Sequence, residues 1–599
     1  MLRSTGRGLT MPKKHLNKKR PDDIKGTVKR IWNYLSVQKG LLTVVFFLVL
    51  MSSVFGLLGP YVTSVAIDDY LVKGDLNGLI PLLLILIGIY FSQSIVTFLQ
   101  NFWMIGIAQK TVMTIRKDLF RHFQRLPIPY FDKKTHGELM SRLTNDIENV
   151  SKTLNSSVIQ IISSILTLIG TVAIMIWLSP LLTLITFTII PIMYAGMKWI
   201  TKRTGYYFKE QQRNLGNLNG VIEETISGQQ IVKTFSQEER VMKQFEKESE
   251  ELRKSGFWAL TYSGFIPKLM NVLNNLSFVL IAAAGGWLAL EGLVTIGVIV
   301  AFIQYSRQFT RPLNDLANQF NTILSAVAGA ERVFVVLDEK EELEDRDHAT
   351  PLTDVTGSVS FHEVSFGYEK DQDTLQGLSF TAQPGETVAI VGPTGAGKTT
   401  IVNLLMRFYE IDEGTIEIDG KDITSFTRDS LRENMGFVLQ DTLLFEETVL
   451  ENIRYGRLDA TDEEVKNAAR IANAHSFITK LPNGYHTVLQ QDGGGISHGQ
   501  RQLLSIARAV LTDPTILILD EATSSIDTRT EVQIQRALWT LMEGRTSFVI
   551  AHRLNTIQRA DQILVLDQGN IIEKGTHDEL IEKDGFYKEM VISGIQANA

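Results

Sequence analysis

The chain has 599 residues, a net charge of −7, 21% charged residues and no cysteine. Its length is too great for one domain, the lack of cysteine excludes disulfides and thiolate metal sites, and the mildly acidic balance gives no sign of nucleic-acid binding. The first three hundred residues contain long runs without Asp, Glu, Lys or Arg, whereas residues 358–599 have the composition of a soluble α/β protein. We therefore expect a membrane α-helical domain followed by a soluble domain.

The charge-free runs predict six membrane-spanning helices, because one helical crossing needs about 20 apolar residues. Two runs, 153–197 and 269–306, are long enough for two crossings each. The first turns at Ser179-Pro180, and the second contains one charged residue, Glu291, beside Gly292. The predicted spans lie at about 41–67, 76–105, 154–178, 181–203, 262–290 and 292–311. Together with the segments that connect them, they predict a transmembrane domain over residues 1–337.

The distribution of Lys and Arg predicts the orientation of these spans. Eleven lie in the first forty residues, nine in 110–152 and eleven in 198–254, whereas the opposite side holds only Lys73. Positively charged loops stay in the cytoplasm, so we expect a multi-pass protein of the inner (cytoplasmic) membrane with both termini and the soluble domain inside. A signal peptide is the alternative for the N-terminus, but the first apolar run has span length and no small-residue cleavage site follows it.

Two long cytoplasmic loops, 106–153 and 204–261, are predicted to carry helices away from the membrane. The second has apolar residues at helical spacing, namely Ile222, Ile226, Ile231 and Phe235. We expect the loops to contact the soluble domain, and solvated helical hairpins without a partner are the alternative. The acidic segment 338–357, which contains Pro351, is predicted to be the linker between the domains.

A phosphate-binding loop opens the soluble domain, directly behind the strand-like run Thr387–Val391. Its sequence is Gly392-Pro393-Thr394-Gly395-Ala396-Gly397-Lys398-Thr399-Thr400, which fits the pattern G-x-x-x-x-G-K-[ST]. The glycines let backbone N–H groups approach the phosphates, and the following helix offers its positive end to them. Lys398 would reach the terminal phosphates and Thr399 would hold Mg²⁺. We therefore predict binding of a nucleoside triphosphate.

A second strand-like run, Ile516–Leu519, ends in the carboxylates of Asp520 and Glu521. An apolar strand that ends in acid is common on its own. After a phosphate-binding loop in the same domain, it predicts that Asp520 supports Mg²⁺ and that Glu521 faces an attacking water.

With these motifs behind six predicted spans, the chain resembles an ATP-binding cassette (ABC) exporter of the multidrug type from about residue 30 to the C-terminus. The resemblance implies an α/β P-loop ATPase domain over residues 358–599, with ATP and Mg²⁺ bound. It implies that Tyr368 stacks on adenine and that Gln440 senses Mg²⁺ and water. His552, which lies 31 residues after Glu521, would contact the γ-phosphate, and the stretch Ser524-Ser525-Ile526-Asp527 would cross the dimer interface.

The chain departs from the family at Ile496-Ser497-His498-Gly499-Gln500, where the usual signature is Leu-Ser-Gly-Gly-Gln. The resemblance implies that this segment starts a helix, expected here at 501–511, and that Ser497, Gly499 and Gln500 clamp the ATP held by the opposite subunit. His498 places a Cβ and a ring where a glycine would allow close approach to phosphate. We expect a weaker clamp; the alternative is that the ring turns towards solvent.

The resemblance also implies the working assembly. Six spans make half of an exporter, so two chains pair, and the catalytic set Lys398, Glu521 and His552 combined with an altered signature favours a heterodimer with a second, different half-transporter. Coupling is expected through the loop tips around 131–138 and 223–235.

Hydrophobic or amphipathic drugs or lipids are the expected substrates, moved by alternating access as ATP is bound and hydrolysed. Gln304 and Arg307 share one face of the sixth span. They either line a pathway or bond to other helices. An ATP-gated channel or regulator and an importer on the exporter fold remain alternatives.

Overall fold

The structure of the protein is a computed structural model that describes residues 23–342, 345–346, 348–369, 373–439, 442–490, 493–520, 528–551 and 554–598. The chain divides into two compact units. The first, termed the helical unit, comprises Met1–Gln124 and His136–Glu339. The second, termed the α/β unit, comprises Arg125–Thr135 and Lys340–Ala599.

The described part of the helical unit consists of helices. Their bounds are Ile24–Ser36, Lys39–Val65, Leu76–Phe123, His136–Ser141, Ile147–Lys152, Val158–Leu178, Pro180–Phe187, Ile189–Ser227, Gln229–Thr234, Glu238–Leu290 and Ile296–Leu337, with π-helical turns at Ala66–Leu71, Arg142–Asp146 and Thr153–Ser157. Ser179 separates two of them, because its extended backbone stops one helix while its hydroxyl accepts the Leu182 N–H at 3.3 Å and Pro180 opens the next. The helix therefore breaks at the predicted turn.

Five of these helical stretches in the described residues are long and apolar enough to cross a membrane. They are Lys39–Leu71, Leu76–Phe123, His136–Leu178, Pro180–Ser227 and Glu238–Leu290. The last has a 53-residue helix, which at 1.5 Å per residue is about 80 Å long and far exceeds the roughly 30 Å of bilayer hydrocarbon. The predicted sixth span, 292–311, begins four residues before the helix Ile296–Leu337 and otherwise lies within it; the crossing itself stays a prediction.

The α/β unit contains two sheets among its described residues. Its strands are β1 Val359–Phe366, β2 Leu375–Ala382, β3 Thr387–Val391, β4 Glu413–Ile418, β5 Lys421–Asp422, β6 Met435–Val438, β7 Ile516–Asp520, β8 Thr546–Ile550, β9 Gln562–Asp567 and β10 Asn570–Gly575. A four-stranded antiparallel sheet has the order β2-β1-β4-β5, and a six-stranded sheet has the order β10-β9-β3-β8-β7-β6. In the larger sheet β10 alone is antiparallel to its neighbour.

The α/β unit also contains helices among its described residues. They are Ile128–Asp132, Lys398–Leu405, Arg428–Glu433, Val449–Arg454, Asp462–Ile471, His475–Ile478, His498–Thr512, Thr528–Met542, Leu554–Ile557, His577–Glu582 and Phe586–Asn598, with 3₁₀ turns at Ile423–Ser425 and Gly484–His486. Strands β3, β7 and β8 are short, nearly continuous apolar runs and are buried along almost their whole length, as expected for parallel strands that are covered on both faces.

The linker is fixed to the α/β unit by ion pairs. Arg428 bonds Asp345 through Nη1 at 3.0 Å, and Arg432 bonds Glu342 through Nη2 at 2.7 Å. The side chains of Arg428 and Arg407 are only 7% and 5% exposed, and Glu410 lies between them at 2.5 and 3.1 Å. Because Arg428 and Arg407 are buried, their positive charges need partners, and these carboxylates neutralise them.

The predicted contact regions of the two cytoplasmic loops have different surroundings. Of the predicted region 131–138, residues 131–135 belong to the α/β unit and residues 136–138 to the helical unit. Tip one here denotes residues 125–135, where the Glu342 N–H donates to the Arg125 carbonyl at 2.8 Å. Tip two, residues 223–235, belongs to the helical unit. It bends at Gly228 between two helices and exposes apolar side chains, namely Ile226 (70% exposed), Ile231 (65%) and Phe235 (68%).

Candidate functional site

Three adjacent parallel strands end at the same edge of the larger sheet. Strand β8 lies between β3 and β7, and in register Ile550 is opposite both Ile390 and Asp520. The phosphate-binding loop leaves the end of β3, and Asp520 is the last residue of β7. The carboxyl ends of parallel strands are where open α/β sheets bind ligands, so the fold brings the two sequence-predicted motifs together.

The phosphate-binding loop depends on glycine at specific positions. Gly392 has φ of +148°, and a Cβ there would lie 2.2 Å from the Leu566 carbonyl oxygen. Gly397 has φ of +100° and directly precedes the helix Lys398–Leu405. These conformations are open to glycine and strained for other residues. The loop therefore keeps its backbone tightly wound at the N-terminus of a helix, which is the arrangement that binds phosphate.

Lys398 is folded across this loop. Its Nζ donates to the carbonyls of Gly392 at 2.8 Å and Pro393 at 2.9 Å. Burial lowers the pKa of Lys398, and the nearby Asp520 carboxylate opposes that shift. The ammonium group is thus held over the loop where triphosphate oxygens would lie, in a half-buried place that strengthens its electrostatic effect.

The donor set suits Mg²⁺. Thr399 is exposed on the first turn of the helix, and Asp520 is partly buried at the end of β7. Hydroxyl and carboxylate oxygens are Mg²⁺ ligands, and the ion takes its remaining ligands from substrate phosphates and water. The described residues contain no group of three or more His, Cys, Asp or Glu that would hold a metal by themselves.

Tyr368 lies beside the loop at the centre of an aromatic cluster. It is 41% exposed, its hydroxyl donates to Thr400 Oγ1 at 3.3 Å, and it accepts from the Asn403 amide at 3.2 Å. Its ring makes edge contacts with Phe366 and Tyr409, both at 5.0 Å between centroids. These contacts on several sides fix the orientation of the ring that is predicted to stack on adenine.

Tyr409 connects this cluster to tip one, all within the α/β unit. Its hydroxyl donates to Asp132 Oδ2 at 2.5 Å. Burial and the neighbouring carboxylate raise the pKa of Tyr409, so the phenol keeps its proton and remains the donor. Asp132 lies in the predicted coupling region 131–138, but the sequence does not indicate Tyr409 as its partner, because no local pattern shows that residues so far apart in the chain meet.

The altered signature forms the first turn of the helix His498–Thr512. The predicted start at 501 is three residues late, because Ser497 caps the helix: Gln500 N–H donates to Ser497 Oγ at 3.3 Å and Ser497 N–H to Gln500 Oε1 at 2.9 Å. Gly499 is buried. His498 is half-buried, and its Nδ1 has no hydrogen-bond partner among the described residues.

Several predicted site residues lie outside the described residues: Gln440, Glu521, His552 and the stretch 524–527. The described strands β6, β7 and β8 lead directly to the first three of these positions. Their predicted roles stay predictions, as do those of Tyr368, the phosphate-binding loop, Asp520, Ser497, Gly499 and Gln500.

Comparison with known proteins covers both units. Residues 42–313 match the family model "ABC transporter transmembrane region", and residues 375–524 match the model "ABC transporter". The chain is 63% identical to the uncharacterized ABC transporter ATP-binding protein YfiC of Bacillus subtilis, over 97% of each chain. It is 46% identical to a fatty acid ABC transporter ATP-binding/permease protein of Mycobacterium bovis, over 84% of this chain and 80% of that one. It is 38% identical to an ATP-dependent lipid A-core flippase of Syntrophus aciditrophicus, over 88% of each.

Proposed function

This chain belongs to the ABC transporter family, and from that premise we propose that it exports hydrophobic or amphipathic compounds, drugs or lipids, across the cytoplasmic membrane. It is a multi-pass half-transporter with a transmembrane region fused to an ATPase, it dimerises, and its ATP hydrolysis is coupled to transport. The observation that carries the ATP-driven part of the proposal is the sheet edge where the phosphate-binding loop follows β3 and Asp520 ends β7, the two strands that flank β8.

The chemistry follows from this edge. The loop N–H groups and the Lys398 ammonium bind the β- and γ-phosphates, and Tyr368 holds the adenine. Mg²⁺, held by Thr399, Asp520 and Gln440, would neutralise phosphate charge when bound. Glu521 orients or deprotonates the attacking water, and His552 and Lys398 stabilise the charge that develops on the γ-phosphate.

Coupling to the membrane runs through both loop tips. The hydrogen bond from Tyr409 to Asp132 supports the role of tip one, because it links the neighbour of the adenine ring to the chain that leads back into the spans. The exposed Ile226, Ile231 and Phe235 of tip two support docking on the ATPase domain of the second subunit. ATP binding would draw the two cassettes together and turn the pathway outward, and hydrolysis would reset it.

The second subunit is a different half-transporter. His498 adds side-chain bulk at the first turn of the signature helix, where a phosphate would approach. In a homodimer both clamps would carry this bulk, whereas in a heterodimer the catalytic set of this chain meets an unaltered signature. The partner is therefore expected to carry Leu-Ser-Gly-Gly-Gln and to lack a working catalytic glutamate.

The test of the proposed export uses inside-out vesicles and proteoliposomes. We expect ATP-dependent uptake of an amphiphile against its gradient, with Glu521→Gln retaining ATP binding and losing about a hundredfold or more of turnover. Glu543→Gln, an exposed glutamate of the same domain, is the matched control. Unchanged hydrolysis in the Glu521 variant refutes the assignment, and transport in the opposite direction indicates an importer.

The heterodimer has its own test. The chain purified alone is expected to hydrolyse ATP slowly, and His498→Gly should raise that rate because the clamp regains close backbone approach. A homodimer of the unaltered chain with full transport-coupled ATPase activity contradicts this part of the proposal.

A further inference from the structure

Two of the charged residues inside the predicted spans, Arg307 and Arg311, lie on the sixth span, and the other four, Lys198, Lys202, Arg203 and Lys268, lie on the fourth and fifth. The runs 41–67, 76–109, 153–197 and 269–290 contain no Asp, Glu, Lys or Arg. The helix Ile296–Leu337 differs, because Arg307 and Arg311 fall within its first sixteen residues. At 1.5 Å per residue they lie about 17 and 23 Å from its start, so Arg307 lies inside the predicted span 292–311 and Arg311 lies at its cytoplasmic end.

The two arginines occupy the face of this helix that points away from its packing neighbours. Ala301, Phe302 and Tyr305 are fully buried, and the Tyr305 hydroxyl donates to the Leu57 carbonyl at 2.6 Å. Arg307 follows Tyr305 by two residues, which is about 200° around the helix, and Arg311 lies about 40° further. Both side chains are exposed in the helical unit.

Neither guanidinium has an ionic partner within the described residues. The contrast lies on the same helix, where Arg332 donates through Nε to Asp146 at 3.0 Å. The nearest acid along the helix, Asp315, instead accepts from the Gln160 amide at 2.6 Å. Gln308, beside Arg307, has a buried Oε1 without a hydrogen-bond partner among the described residues. Its Nε2 donates to the Gly56 carbonyl at 3.4 Å, so among these groups the two guanidinium groups and the Gln308 oxygen are left without a partner in the described residues.

Arginine that faces hydrocarbon is unfavourable, so charged residues at this depth face protein or a water-filled cavity. Two guanidinium groups one turn apart present a set of parallel N–H donors that match the oxygens of a carboxylate or phosphate. A cavity wall with two unpaired cations attracts anions and is unfavourable for cations.

We propose that Arg307 and Arg311 form the binding site for the acidic headgroup of an amphipathic substrate on its way through the transporter. The inference rests on the proposed export function and specifies its substrate class: a long apolar chain with a carboxylate or phosphate head. The apolar faces of the neighbouring spans accommodate the chain, and the two arginines select the head.

The experiment compares four amphiphiles with the same eighteen-carbon monounsaturated chain: oleate, oleyl phosphate, oleyl alcohol and oleylamine. The full-length transporter, purified with its partner subunit, is placed in proteoliposomes of neutral lipid, and ATPase stimulation and ATP-dependent transport are measured for each compound. We expect half-maximal stimulation by oleate or oleyl phosphate at about tenfold lower concentration than by the alcohol, with no preference for the amine. The ratio of the two acids shows which head the site favours.

Arg307→Gln and Arg311→Gln should each remove most of the acid preference, whereas Arg307→Lys should keep part of it because the charge remains and the forked geometry is lost. The Lys variant also keeps the test available if a Gln variant fails to assemble. Arg213→Gln, an exposed arginine paired with Glu210 on a cytoplasmic extension, is the matched control and should keep the full preference.

The outcomes separate the two proposals. Transport of all four compounds without headgroup preference, or a preference that survives both Gln substitutions, overturns this inference and leaves the export function intact. The second result would mean that the arginines extend to the lipid headgroups or pair with the other subunit. Absence of ATP-driven transport of every amphiphile overturns the export function itself and this inference with it.

Discussion

Within one chain, tip one has a hydrogen-bond partner, whereas tip two has an exposed apolar surface. Tip one groups with the α/β unit of its own chain, and its Asp132 accepts a 2.5 Å hydrogen bond there from Tyr409. Tip two exposes Ile226, Ile231 and Phe235 by 65% or more of their surface. Apolar patches of this kind mark interaction sites. From this difference we expect tip one to be completed within the subunit and tip two by the second subunit.

The largest expected effect comes from breaking the apolar surface of tip two. Phe235→Asp should lower transport more than tenfold, because it places a charge in an interface that needs desolvated apolar contact. ATP binding by each cassette should persist, since the nucleotide site is untouched. Transport and nucleotide binding are measured in parallel.

The matched control is Leu215→Asp, which changes an exposed apolar residue of the preceding helix, about two turns before the tip. Equal loss of transport in the two variants would mean that the charge acts generally and that tip two has no special role.

A smaller effect is expected at tip one. Tyr409→Phe removes one hydrogen bond to a carboxylate whose residue is exposed, which is worth about 1 kcal/mol, or about fivefold in coupling. The ratio of substrate transported to ATP hydrolysed should fall while the enzyme still turns over ATP.

A double-mutant cycle with Asp132→Asn tests whether the two residues act together. If they do, the second substitution adds little to the first, whereas additive losses would show that the pair does not transmit coupling. Tyr455→Phe, which removes the hydroxyl of another exposed tyrosine in the α/β unit, should change nothing.

The smallest effect is expected for the ion pair between Glu250 and Arg253, on the helix that leaves tip two. Hydrogen bonds from Arg253 lower the pKa of Glu250 to about 2. Any stability from the pair is present above the unfolded pKa near 4.5 and is lost only as the pH falls towards 2, so it does not change near neutral pH. Arg253→Gln should leave transport unchanged at pH 7, because exposed pairs contribute little. A marked loss of transport would indicate that charge, and not apolar contact, governs coupling through tip two.

Long-range composition made the fold class predictable. The charge-free runs and the order of the motifs indicated a helical membrane domain fused to an ABC ATPase, and the family matches and helices confirm this. The site was predictable where function requires a fixed spacing, as in the loop before Lys398. The start of the signature helix was predicted three residues late, because Ser497 and Gln500 were interpreted only as ATP ligands and their capping box was not considered.

What could not be predicted depends on residues that are distant in sequence. Asp132 and Tyr409 meet only after the α/β unit has folded. The isolation of Arg307 and Arg311 likewise becomes visible only when Tyr305 shows which side of the helix is buried. In both cases the sequence gives the chemistry of a side chain, whereas packing determines what it faces.

The acidic linker changes where a stable catalytic fragment would begin. Composition places the start of the soluble domain at residue 358, but Asp345 and Glu342 neutralise Arg428 and Arg432 from well before that point. A fragment cut at 358 removes Asp345 from the buried Arg428, which then keeps Glu410 as its carboxylate partner. A protease that cleaves between 346 and 358 would cut the covalent link between the two domains, while Glu342 and Asp345 stay bound to the catalytic domain through their ion pairs. The physical border of the catalytic half therefore lies before Glu342, in the stretch that sequence composition assigns to neither domain.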